Sequence, residues 1–257
     1  MDLGIEGRIA LVAASTGGLG LAVATALAAE GARVVVTGRS LEKARQAAAD
    51  LPGAVARELD VDDPDAPGRV IDEVAATLGP VDILVTNGPG PAPSTARATS
   101  AEAFEAAAAR LFLPQQRMIA AALPAMTVGG WGRILAVGSS GVVAPLPGLA
   151  ASNVARAALA AYLKTLAGEV AADGITANLL LPGRIATDRT ASLDAAAAVR
   201  RGLDLETVQE ESRSSIPARR YGRPDEFGAA AAFLCSERAS YITGVALRCD
   251  GGLVPVL

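Results

Sequence analysis

Residues 8–37 read RIALVAASTGGLGLAVATALAAEGARVVVT. Arg8 to Ala14 is a short, almost wholly apolar run of the kind that forms a strand buried on both faces. Ser15-Thr16-Gly17-Gly18 follows as a loop of small residues, and Leu19 to Glu30 carries a helical pattern. Gly31 then occupies the C′ position, where left-handed backbone favours glycine. Ala32 to Thr37 is a second apolar, β-branched run, hence a second strand. Strands apolar on both faces and joined by a helix belong to a parallel sheet covered on both sides.

The same alternation continues outward. Strands are expected near 54–59, 81–86, 133–137, 175–181 and 245–248. Ser40 caps a helix running to Asp50, and another runs from Pro64 to Leu78, with proline at its start. Ser100 caps a long helix expected to continue to Leu123, and further helices span 149–172 and 224–235. With right-handed crossovers this is one α/β domain over 1–257, a three-layer, Rossmann-like, doubly wound parallel sheet of about seven strands. Residues 88–93 and 187–215 read as loops or lids over the strand ends.

Composition narrows the chemistry. The chain of 257 residues is 51% hydrophobic and 19% charged, with net charge −4, which excludes a disordered chain and a broadly basic nucleic-acid binder. No apolar run reaches the ~18 residues of a membrane span. The start, Met1 to Glu6, lacks a secretion-signal layout, so a cytoplasmic protein is expected. Histidine is absent, which removes Ser-His-Asp hydrolysis and histidine-ligated zinc. Cys235 and Cys249 lack CxxC spacing, so no metal site is expected and both read as buried structural thiols.

In a doubly wound sheet, ligands bind beyond the carboxyl ends of the strands. The first such turn here is Ser15-Thr16-Gly17-Gly18-Leu19-Gly20, whose glycines let backbone approach a pyrophosphate at a helix N-terminus. The spacing is not GxGxxG, and a tight turn that binds nothing fits it too. Arg39, just past the second strand, stands where a guanidinium accommodates a 2′-phosphate, favouring NADP(H); a solvated surface arginine is the plain alternative. Asp60, followed by Val61, either accepts from the adenine amino group or caps the next loop.

These residues, together with Asp82 to Gly88 (DILVTNG), Asn178 to Thr187 (NLLLPGRIAT), Ile216-Pro217 through Arg223-Pro224-Asp225-Glu226, Ser240 to Gly244 (SYITG) and Asp250-Gly251-Gly252, resemble the short-chain dehydrogenase/reductase family over nearly the whole chain. The branch most resembled is that of the β-ketoacyl-carrier-protein reductases. The resemblance implies that Asn87 supports the sheet near the adenosine and that Pro182, Gly183, Ile185 and Thr187 hold the nicotinamide carboxamide. It also implies NADP(H) as cofactor and a homodimer or homotetramer formed through the alanine-rich helices at 101–123 and 149–172.

The family's active site has Asn, Ser, Tyr and Lys. Ser139 matches the serine, but Ser152 stands at the tyrosine position, Arg156 at the lysine position and Leu111 at the asparagine position. Ala14 replaces the first glycine of the phosphate turn. An aliphatic hydroxyl is a far weaker acid than a phenol, and arginine stays charged. Ser139, Ser152 and Arg156 therefore read as an oxyanion-stabilising set in a ketoreductase with an atypical proton source. A lyase- or isomerase-type reaction and a non-catalytic NADP-binding homologue remain open. So do plain roles: Ser139 capping a loop, Ser152 and Arg156 at a subunit contact. Stretches 88–93, 141–149 and 187–215 should wall an apolar pocket for a small carbonyl substrate, an acyl chain, quinone or polyketide.

Overall fold

The computed structural model describes residues 2–256. Its core is a single parallel sheet of seven strands: β1 (Ile9–Val12), β2 (Arg33–Gly38), β3 (Val55–Glu58), β4 (Ile83–Thr86), β5 (Gly132–Val137), β6 (Ile175–Pro182) and β7 (Ala246–Cys249). They lie in the order β3-β2-β1-β4-β5-β6-β7, so the winding reverses between β1 and β4. All neighbouring strands run parallel, with Leu11 opposite both Val35 and Leu84. The strand residues at the centre are buried on both faces, and helices cover each side.

One layer is formed by α1 (Gly18–Ala29), α2 (Leu41–Ala49) and α9 (Pro224–Leu234), packed through Val23, Leu27, Ala44, Phe227 and Ala231. The opposite layer holds α3 (Ala66–Thr77), α4 (Ala101–Leu111), α5 (Leu113–Gly129) and α6 (Ala150–Val170). Met118, Ile119, Leu159 and Leu163 form its contact with the sheet. At Gly228 an added Cβ would come within 2.5 Å of the Ala22 carbonyl oxygen, so α1 and α9 pack backbone to backbone.

Two expectations are corrected. The long helix expected from Ser100 to Leu123 is divided at Phe112. Pro114 has no N–H for the Arg110 carbonyl, and the Gln115 side chain instead donates to the Leu111 carbonyl at 2.7 Å. The stretch 187–215 is not loop but two helices, α7 (Asp188–Arg201) and α8 (Leu205–Ser214). α7 is polar and alanine-rich and α8 is mostly polar and charged, and they bury few apolar side chains, Ala198 of α7 and Val208 of α8. Their ends were nonetheless marked by Thr187 and Asp204 as N-caps and Gly202 as a left-handed C-cap. Cys235 is buried as expected, its thiol pushed up to about 12 by desolvation, whereas Cys249 is only half-buried.

Arg133 at the start of β5 is a buried guanidinium, 2% exposed. It donates to the carbonyls of Ser236, Gly132 and Gly174 at 2.9–3.1 Å and lies over the Trp131 ring, whose other neighbour is Arg8. It thereby ties the amino end of β5 to the turn before β6 and to the segment after α9. Arg133→Leu should cost about 3 kcal/mol in urea unfolding, because three buried carbonyls lose their donor; the exposed Arg39→Leu should change stability by less than about 0.5 kcal/mol.

Candidate active site

The β1–α1 turn is built by close approach. An added Cβ on Gly20 would fall 2.3 Å from the Ala14 carbonyl oxygen, so only glycine lets the helix begin there. Ala14 itself has φ +49, left-handed backbone that strains a residue with a Cβ. The Ser15 hydroxyl is wholly internal: it donates to the Val12 carbonyl at 2.7 Å and accepts from the Thr37 N–H at 2.9 Å. Thr16 packs its methyl against Gly38 at the end of β2. Gly17 and Gly18 are exposed, and neither a side-chain cap nor an acid occupies the first turn of α1. The free N–H groups at this helix start suit an anion.

Arg39 is exposed one residue beyond β2, and among the described residues its guanidinium has no hydrogen-bond or carboxylate partner. Asp60 accepts from the Asp62 N–H at 3.0 Å, the loop-capping role weighed for it; Val61 is buried behind it. Asn87 follows β4, half-buried. Beyond β6, Gly183 lies so close to Asp250 that a Cβ would meet its Cα at 2.6 Å. Asn178 on β6 clasps Ile242 and Val245, fixing this strand to the segment before β7. Ile185 bridges to Gly222, and the Ile185 carbonyl accepts from Thr190 at 2.6 Å. Thr187 caps α7, and its methyl stands 4.0 Å from the Cβ position of Gly18. The residues expected to hold a dinucleotide therefore face one edge of the sheet, at the strand reversal.

The reacting end lies beyond β5. Ser139 accepts from the Gly141 N–H at 3.1 Å, capping the short 3-10 turn Ser140–Val142. Ser152 is buried in the first turn of α6. Arg156, one turn further, reaches back to the sheet: its Nη1 donates to the carbonyls of Val137 and Gly138 at 3.0 and 2.9 Å. It is thus anchored on the strand end beside the Ser139 backbone. Burial, followed by the charge of Arg189, brings its pKa down to about 10. Leu111 is fully buried and offers nothing polar to the site.

Of the three stretches expected to wall a pocket, the loops after β4 and before α6 are joined directly. Ser94 donates to the Gly148 carbonyl at 2.8 Å and accepts from Ala150, joining the loop after β4 to the one before α6. Asn153 donates to and accepts from the Leu146 backbone, holding the latter loop to α6. The third wall, α7, is fastened by Asp194, fully buried, which accepts from Tyr221 at 2.8 Å and pairs with Arg184 at 2.9 Å. Gln115, Asn153, Asp194 and Arg189 were not singled out from sequence; only the spacing of Asn153 beside Ser152 gave any signal. No group of three potential metal ligands occurs among the described residues.

The family model described as enoyl-(acyl carrier protein) reductase matches residues 13–254. The chain belongs to the short-chain dehydrogenase/reductase family. It is 35% identical over 256 residues to the 3-oxoacyl-[acyl-carrier-protein] reductase FabG of Escherichia coli, covering 99% of this chain and 100% of that protein. Among solved structures, L-sorbose reductase from Gluconobacter frateurii, complexed with NADPH and L-sorbose, superposes with TM-score 0.93 at 32% identity and full coverage of both chains. YwfH, an NADPH-dependent reductase involved in bacilysin biosynthesis, gives TM-score 0.93 at 28% identity, covering 98% of this chain and 100% of that one.

The strain at Ala14 is testable. Ala14→Gly should raise unfolding stability by about 1 kcal/mol, since glycine adopts this backbone without steric cost. Thermal unfolding of both forms measures it, and a loss of stability would contradict the left-handed assignment.

Proposed function

We propose that this member of the family is an NADPH-dependent ketoreductase that stabilises the developing alkoxide with a cation and needs no tyrosine. The observation carrying this reading is Arg156, held on the Val137 and Gly138 carbonyls beside Ser139 and Ser152. Support for the dinucleotide comes from the uncapped start of α1, the close glycine turn and the unpaired Arg39. The NADPH held by the sorbose reductase and actinorhodin polyketide ketoreductase structures supports it too. When bound, NADPH supplies a hydride to the carbonyl carbon.

The protein's own part is electrostatic. As negative charge builds on the substrate oxygen, the fixed guanidinium of Arg156 offsets it without reorganising, and the hydroxyls of Ser139 and Ser152 can donate to it. The proton that completes the alcohol then comes from water or from a neighbouring hydroxyl of the substrate. Thr187 and the Gly17-Gly18 backbone would hold the carboxamide and pyrophosphate ends.

Loss of NADPH absorbance with a panel of ketones, quinones and 3-oxo thioesters tests the reading; no turnover with any of them would overturn it. Arg156→Met should lower kcat by about 100-fold or more, as removal of an oxyanion donor does elsewhere. Because burial lowers the Arg156 pKa only to about 10, the guanidinium stays charged around neutrality, and kcat/KM should show no ionisation of this group between about pH 6 and 8. Arg39→Ala should raise the Kd for NADPH by about 10-fold or more while leaving NADH nearly unchanged.

We also propose a homodimer or homotetramer. α4 and α6 pack on each other through Ala107, Leu111, Ala151 and Ala155, yet α6 leaves a stripe of Val154, Ala158 and Ala161 exposed. Light scattering should return twofold or fourfold the 25.8 kDa chain mass.

A further inference from the structure

The loop between β5 and α6 is held by a side chain that the proposed chemistry does not use. The loop contains Ala144-Pro145-Leu146-Pro147-Gly148, with Leu146 between two prolines. Proline has no N–H, so Leu146 alone offers a backbone donor across 145–147. Asn153, in the first turn of α6, engages both backbone groups of Leu146. Its Oδ1 accepts from the Leu146 N–H at 3.3 Å, and its Nδ2 donates to the Leu146 carbonyl at 2.9 Å.

The same amide abuts the start of the loop. A Cβ on Gly141 would fall 2.5 Å from Asn153 Oδ1 and 3.4 Å from Ser139 Oγ, so Gly141 lies between amide and hydroxyl. Gly141 is buried, and its N–H donates to Ser139 Oγ at 3.1 Å. A hydroxyl has one proton and two lone pairs. The Gly141 N–H engages a lone pair, and the Ser139 proton goes to no acceptor among the described residues. Tying loop to helix accounts for the two bonds to Leu146. It does not account for the amide closing on Gly141, where any side chain is excluded.

We infer that Asn153 is a positioning residue: it holds Gly141 against Ser139, so that the Gly141 N–H fills the acceptor side of the hydroxyl and the Ser139 proton stays free for the developing alkoxide. Its effect on turnover rests on the reductase reading, whereas its hold on Gly141 does not.

The test compares the full-length protein with Asn153→Ala, Ser139→Ala and the double variant; Asn153→Ser, a smaller change, should repeat the pattern at lower amplitude. Hydrogen exchange of the 138–143 amides, none of which Asn153 bonds, should quicken by about tenfold in Asn153→Ala, as in Ser139→Ala. Unchanged protection there would overturn the inference, whether or not any substrate is turned over. With the fastest substrate of the ketone, quinone and 3-oxo thioester panel, Asn153→Ala should lower kcat by about tenfold while the KM for NADPH stays within about twofold. In the Ser139→Ala background the same change should cost less than about twofold, because both act through one hydroxyl. Additive losses would reduce Asn153 to a tie for the loop and overturn the inference. So would a rise of about tenfold in the KM for NADPH, the mark of a general loosening of the fold. If the unaltered protein oxidises no NADPH, the reductase reading falls, and the exchange measurement by itself decides the hold of Asn153 on Gly141.

Discussion

Parallel pairing places every strand's carboxyl end on the same edge of the sheet. Seven short apolar strands impose this once helices must cover both faces, since each crossover returns the chain to the opposite edge. The turn after β1, Arg39 after β2, Asp60 after β3, Asn87 after β4, Ser139 after β5 and Gly183 after β6 then come together without any contact designed to join them. The reversal of winding between β1 and β4 opens the crevice there.

On the reading proposed above, fixed charge takes the place of acidity in that crevice: a phenol beside a lysine would work by a shifted pKa, whereas a guanidinium held by the Val137 and Gly138 carbonyls would work by its position. Leu111 is fully buried nearby, and the Gln115 side chain donates to its backbone carbonyl next to the break at Phe112. The buried Asp194, held by Arg184 and Tyr221, fastens α7, in whose segment the Thr187 methyl faces Gly18 and Arg189 lies near Gly90.

Strand and helix order was legible because buried parallel strands show as β-branched runs, and Gly31, Ser40 and Ser100 marked helix ends. The break at Phe112 was also written in the sequence, in Pro114, but proline near a helix start and proline inside a helix look alike until packing chooses. α7 and α8 escaped because so few of their residues are apolar that polar composition reads as loop, with Ala198 and Val208 the buried apolar side chains they supply.

The sequence by itself determined the sheet, its winding and the identity of the residues on the strand-end edge. Local patterns of apolarity and glycine carry most of these, though not Arg189 or Asp194 on α7. Tertiary structure decided what each side chain does there. It turned the Ser15 hydroxyl inward, bound Arg156 to the end of β5, left Arg39 without a partner among the described residues and brought Arg189 to Gly90. Such contacts join residues separated by tens of positions. Whether a charge is neutralised, buried or left facing a cleft depends on neighbours that only the folded chain assembles.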